Sequence, residues 1–460
     1  MKKELLLGFC PIGKFVFSHE DALRYKRILE GKLAEWNVDF VGIDEAVTDG
    51  IVRSQKDVGP VVDHLRSRKV DALFIPHCNF GTEGAAGVIA RDLGVPTLLW
   101  GPRDEAPQAD GTRLRDTLCG LFATSKVLHK LDVPFSYIEN CRVEDQAFKT
   151  GVDRFLRAAN VVKTLKRLRI GQIGQRIDFF WTTIVNESEL LERFGVEVQP
   201  FDMVEVIEAI LSEARTNRGT IVDEIEAAKS HMIFEGFDSI DPIVNIYAAR
   251  NVLLRLAESE DLDVLAVQSF MSIIKALDCQ VEYSTAMVTD MGIPVACETD
   301  IHGAVSAAML NAASKGQDPI AFADLTVRHP ENDNAVLVWH GAFPESLKHP
   351  DVQPKVGTHW IQGVPPGAPH WEMKRGPLTV FRFDGDRGVY TAIGGEGKAI
   401  DGPKTQNTYV WMEVADWPEW ERKFIYGPYI HHVAACYGNY SDVMREACRF
   451  IPGLDYEELP

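Results

Sequence analysis

In PVACETDIHGA, residues 294–304, two carboxylates and an imidazole (Glu298, Asp300 and His302) occupy every second position directly after a short apolar run. Carboxylate oxygens beside an imidazole suit a hard divalent cation, and paired acids can transfer protons. The plain alternative is that Thr299 or Asp300 caps the Ala-rich helix that follows, accepting hydrogen bonds from its first free amides. Glu282, in CQVEYSTAMVTDMG, stands inside a helical apolar pattern, either as a solvated position or facing the same crevice as Asp300. YGPYIHHVAACYGNY holds His431 and His432 between apolar flanks. On a strand the two face opposite sides, so one can ligate an ion while the other packs or binds substrate. His340 in VWHGAFP and Asp324 in FADLTV each close an apolar run. PHCNFGTEG, with Asn79, Phe80 and Glu83, is a polar turn into a helix that can receive a polyol or an anion, or simply make the turn.

The elements that must position these groups follow from the hydrophobic rhythm. Residues 1–165 alternate short apolar runs (ELLLGFC, DFVGI, DALFIPHC, VPTLLW, FSYIE) with amphipathic stretches, which predicts parallel strands with crossover helices. The pattern restarts at RLRIGQIG and continues through VEVQPFD, DVLAVQSF, IPVACET, DPIAFADLTV and AVLVWHG, giving a second α/β domain over residues 166–345. Both domains read as doubly wound Rossmann- or flavodoxin-like sheets. DLGVPTLLW and DMGIPVACE share a helix stop of Gly and Pro before a strand. That puts CETD at a strand's C-terminal end, where open α/β sheets bind ligands. Over residues 346–460 the texture turns to Gly, Pro and alternating aromatics (PLTVFRF, GVYTAIGGEG, TYVWMEV), predicting a smaller antiparallel β domain, a barrel or sandwich, closed by the helix YSDVMREACRFI.

Composition narrows the function classes. The chain has 460 residues, 45% hydrophobic and 25% charged, enough for several cores without crosslinks. A net charge of −19 with no basic run argues against nucleic acid and anionic membranes as partners. Glu4 interrupts the N-terminal apolar run, which reads as a first strand and not a signal peptide, and no run is long enough to span a bilayer. Eight cysteines without a CxxC pair fit a reduced, cytoplasmic compartment. GQIGQR lacks the glycine spacing of a dinucleotide fingerprint, and no P-loop, GxSxG or HExxH is present.

Taken in order, IPHCNFGTEGAA, GVPTLLWG, RIGQIGQR, VEYSTAMVTDMGIPVACETDIHGAVSAAML, FADLTVRHPENDNAVLVWHGAFP and HHVAACYGNY resemble the L-fucose isomerase and L-arabinose isomerase family of metal-dependent aldose–ketose isomerases. The resemblance implies a divalent ion, Mn²⁺ or else Mg²⁺ or Co²⁺, between the second α/β domain and the β domain. By the fucose-isomerase pattern its ligands are Glu282, Asp300 and His432. The arabinose-isomerase pattern favours Glu298 instead and adds a histidine near His340, which leaves Glu298 as alternate ligand or substrate contact. The later family glutamate has no clear match, Asp324 being the nearest acid, and this leans the assignment to the fucose-isomerase arrangement.

The implied reaction is ketol isomerisation of a pentose, 6-deoxyhexose or modified sugar through a cis-enediolate, with Glu282 and Asp300 as acid and base. His431, His340, Asn79, Phe80 and Glu83 orient hydroxyls, and His302 is left to the helix face. The family implies a homo-oligomer, a trimer or hexamer. The alternatives are a related metal-dependent sugar epimerase or carbon–carbon lyase, or a non-catalytic sugar-binding protein.

Overall fold

The structure, a computed structural model, describes residues 5–359, 361 and 363–460. Glu4, at the start of the expected first strand, lies outside the described residues; the strand itself is Leu7–Phe9. The chain divides into two compact units, Met1–Lys163 and Thr164–Pro460.

The first unit is a five-stranded parallel sheet ordered Phe40–Val41, Leu7–Phe9, Ala72–Pro76, Thr97–Trp100, Ser136–Tyr137. Every expected run becomes a strand. Ala72–Pro76 and Thr97–Trp100 are buried throughout, as strands of a parallel sheet covered on both faces by helices must be. Gly94 ends the helix Glu83–Leu93 in the left-handed conformation, at φ 63°.

The second unit opens with a four-stranded parallel sheet ordered Val295–Cys297, Val264–Val267, Arg169–Ile173, Glu197–Phe201. The helix Ile301–Ser314 leaves the end of the first of these strands. It packs on Val264–Val267 on one side and on the strands Gly376–Asp386 and His432–Tyr437 on the other. Its alanines explain how: Ala304, Ala307, Ala308, Ala312 and Ala313 are all buried, and short side chains let two sheets approach one helix.

Six antiparallel strands then close into a barrel. Around the ring they are Gly376–Asp386, Val389–Ile400, Thr408–Glu413, Ala335–His340, Ala321–Arg328 and His432–Tyr437, the last returning to the first. Alternate residues such as Ala321, Ala323, Val336, Val338, Val433 and Ala435 build its core, the period of two expected of strands with one face inward. Closure leaves no exposed edges on these six strands.

The two doubly wound sheets and the β domain follow the expected fold class, and the β domain is a barrel. Ala321–Arg328 and Ala335–His340, read from sequence as part of the second α/β domain, are barrel strands. A short apolar run carries no local mark of whether its neighbours run parallel or antiparallel. The helix Trp417–Tyr426 and the strand Leu454–Glu458 were not anticipated. Among the described residues no helix is long and apolar enough to cross a membrane.

Candidate active site

The site lies in the second unit, where the C-terminal end of the parallel sheet meets the barrel. The strand Val295–Cys297 stops just before Glu298, and Glu298 and Thr299 both take left-handed backbone, at φ 62° and 56°. Two consecutive non-glycine residues there are strained by roughly 1–3 kcal/mol each, a conformation that persists where surroundings over-determine it. Here Thr299 N donates to Val267 O at 3.1 Å and Asp300 N to Cys297 O at 3.2 Å. The strand ends at Cys297, as expected of CETD at a strand's C-terminal end, and the chain turns through Glu298 and Thr299 into the helix.

Asp300 caps the helix, accepting from Gly303 N at 2.8 Å. The cap reading holds for this residue, and other partners converge on the same carboxylate. Arg382 binds both its oxygens, Nη1 to Oδ2 and Nη2 to Oδ1 at 3.2 Å. His432 Nδ1 donates to Oδ2 at 2.9 Å. Burial alone would raise this carboxyl, but Arg382 and His432 hold it far below the usual carboxylate range.

Barrel register brings the next acid. Asp324 and His432 are direct cross-strand partners, so their side chains share a face. His432 Nε2 stands 3.6 Å from Asp324 Oδ1 and 3.3 Å from Glu298 Oε2. Against the lowering effect of burial, hydrogen bonds that the ring donates to Asp300 and Glu298 raise this imidazole to about 10. Asp324 is pushed up to about 7 by burial, with Glu298 and Asp300 adding to the rise and His432 opposing it.

His431 precedes the strand His432–Tyr437, so the alternation that would send it to the other side does not apply. The two rings lie 4.5 Å apart, and Asp324, His431 and His432 offer donor atoms all within 4.8 Å of one another. The expectation that only one histidine of the pair could reach an ion is corrected. His431 is exposed; partial desolvation by the groups packed on it, then the charge of His432, lowers its imidazole.

Glu282 begins the helix Glu282–Asp290 and is buried, not solvated. Burial, reinforced by Glu298, pushes it up to about 8. Its Oε1 lies 3.6 Å from His359 Nε2, and its carboxyl packs so tightly on Gly341 that a Cβ there would collide with it. His340, the neighbour of Gly341, is buried and lowered to about 3 by burial and nearby histidines, with Phe322 packed 5.2 Å from its ring. Burial, then the charges of Glu282 and Glu298, hold the Cys297 thiol well above its usual range.

Two expectations change. Asp300, read as the principal ligand, has both oxygens engaged by protein donors. His302, left to the helix face, is buried and its Nδ1 meets Asp384 Oδ1 at 3.1 Å, while Asp384 Oδ2 accepts from Arg382 Nε at 2.9 Å. Arg382, Asp384 and His359 were missed. An Arg and an Asp two apart within the buried strand of PLTVFRFDGD were a readable signal; nothing local marks His359. In the first unit, Asn79 is fully buried and braces two loops, accepting from Lys14 N at 2.7 Å and Gly81 N at 3.2 Å. Its side chain makes the turn. Phe80 stacks on Phe17, and Glu83 pairs with Lys14 at 3.6 Å.

Residues 8–166 match the family model of the fucose/sulfoquinovose isomerase N-terminal domain. Over 450 residues the chain is 26% identical to the sulfoquinovose isomerase of Priestia megaterium, spanning 96% of this chain and 97% of that one. It is 27% identical over 318 residues to the sulfoquinovose isomerase of Alkalicoccus urumqiensis, covering 68% and 69% of the two chains. A third relative, from Clostridium sp., is 27% identical over 336 residues, 72% of this chain and 73% of its own. Taken with the fold, these likenesses define the chain as an aldose–ketose sugar isomerase. Its likeness to the L-fucose isomerase-like family rests on that N-terminal match and on these relatives.

Proposed function

We propose that the chain is a divalent-cation-dependent ketol isomerase of sulfoquinovose, a sugar carrying a sulfonate, with Mn²⁺, Mg²⁺ or Co²⁺ held by Glu298, Asp324 and His432. The observation that carries the cation is the convergence of the two carboxylates on His432 Nε2. The fit is supported further by Asp324 Oδ1 and Glu282 Oε2, which are buried without a hydrogen-bond partner among the described residues. Hard oxygens beside an imidazole are a donor set that such cations accept. His431, within reach of Asp324 and His432, is a further donor or a substrate contact.

A bound divalent ion would supply Lewis-acid polarisation of the sugar's adjacent oxygens. The chain's own residues do the rest. Glu282, packed against Gly341 and raised toward neutrality by burial, is matched to taking a proton from C2 and returning it to C1. A second proton passes from O2 to O1, so the change is a redistribution of hydrogen that needs no oxidant. Neutral His340 and His359 can accept hydrogen bonds from sugar hydroxyls. A cytoplasmic trimer or hexamer is part of the same reading, checked by light scattering.

The test is incubation with sulfoquinovose, L-fucose, L-arabinose and glucose in D₂O with Mn²⁺, followed by proton NMR. The expected result is conversion of sulfoquinovose to its ketose with deuterium entering at C1. Turnover of only the uncharged sugars would overturn the substrate. A C2 epimer or a cleaved product would favour the epimerase or lyase alternatives.

A further inference from the structure

On that cation reading, we propose that Arg382 is a positioning residue: by binding both oxygens of Asp300 it keeps this acid out of the cation's shell and turns it into the orienter of His432. A carboxylate has about four lone-pair sites. In Asp300 they are met by Gly303 N and Arg382 Nη2 on Oδ1, and by Arg382 Nη1 and His432 Nδ1 on Oδ2. No acceptor site is left for an ion. Carboxylate-to-imidazole bonding of this kind fixes the ring and leaves the other nitrogen as the donor, and Nε2 is the nitrogen facing Glu298 and Asp324.

Arg382 is in turn fixed from behind. Its Nε donates to Asp384 Oδ2 at 2.9 Å, and Asp384 Oδ1 meets His302 Nδ1 at 3.1 Å. Arg382 and Asp300 are both wholly buried. A planar guanidinium with fixed donor directions suits this task, whereas a lysine ammonium would offer one charge and no two-point grip.

The test is Mn²⁺ binding by EPR titration, with ¹⁴N modulation reading the histidine ligand, on the full chain and on Asp300→Asn, Asp324→Asn, Arg382→Lys and the Asp300→Asn/Arg382→Lys double variant. Asp300→Asn and Arg382→Lys should each keep one Mn²⁺ site weakened about 10- to 100-fold, the range for partners behind a ligand, with altered ¹⁴N modulation. The double variant should weaken binding little further, because both changes break one unit. Asp324→Asn should weaken it far more. If Asp300→Asn removes binding as fully as Asp324→Asn, Asp300 is a ligand and the proposal is wrong. If Arg382→Lys leaves affinity and modulation unchanged, the positioning role fails while the cation reading stands. If the unaltered chain binds no Mn²⁺, the cation reading itself falls and this proposal with it. Circular dichroism on each variant separates these outcomes from misfolding.

Discussion

Asp324 faces His432 directly across two antiparallel barrel strands, with Oδ1 3.6 Å from Nε2, while Asp300 holds the opposite nitrogen of the same ring at 2.9 Å. One imidazole thus joins the barrel to the end of the parallel sheet. Asp300 supplies orientation and Asp324 supplies an oxygen free to take a new partner.

Charge in this cluster predicts metal-linked stability. A cation bound to the folded chain alone adds about 2.7 kcal/mol at a free concentration one hundred times its Kd. Thermal melting should therefore rise with Mn²⁺ and fall with EDTA. An identical melting temperature in both conditions would refute the site.

Glu282 predicts a pH slope for the metal-free chain. Its folded carboxyl titrates at about 8, well above the ordinary glutamate. Between roughly pH 4.3 and 8 the unfolded chain therefore binds fewer protons than the folded one, and stability must fall as pH rises. Urea denaturation of the unaltered chain and of Glu282→Gln, which cannot ionise, at pH 5, 6.5 and 8 isolates this decline from the slopes that Asp324, His432 and the lowered histidines add to both. The stability difference between the two should fall as pH rises; a difference that does not change with pH would mean that Glu282 does not contribute the slope.

Gly341 has no room for a side chain, because a Cβ would meet the Glu282 carboxyl. Gly341→Ala should displace that carboxyl and lower kcat by at least about tenfold, since small misplacement at a reacting group is costly. Circular dichroism should show the fold intact. Unchanged kcat would argue against Glu282 as the proton carrier.

Phe322 packs edge-on to both His432 and His340, at 5.0 and 5.2 Å between ring centroids. Phe322→Ala should destabilise the second unit by about 3–5 kcal/mol, the usual range for truncating a buried aromatic. The same change should loosen both rings and weaken Mn²⁺ binding. Denaturant midpoints and EPR titration of the one preparation check both effects.

Much of the fold was legible because its signals are local. The strands of both parallel sheets appear as short apolar runs between amphipathic stretches, and Asp300 was readable as a cap from the Ala-rich helix behind it. The barrel's first two strands were assigned to the wrong layer, since an apolar run does not state its partner. His302 was set aside because a helix with alanine on all sides gives no clue that a second sheet covers its far face.

Sequence alone determined the two doubly wound sheets, the antiparallel β domain and the presence of Glu282, Glu298, Asp300 and the His431–His432 pair near strand and helix ends. Tertiary structure decided how they divide the chemistry. Closure of the barrel set the register that puts Asp324 opposite His432. It also brought Arg382 to Asp300 across 82 positions and His432 to Asp300 across 132. Contacts over such separations depend on which strands pair and on which face each side chain leaves, and no short stretch of sequence encodes either.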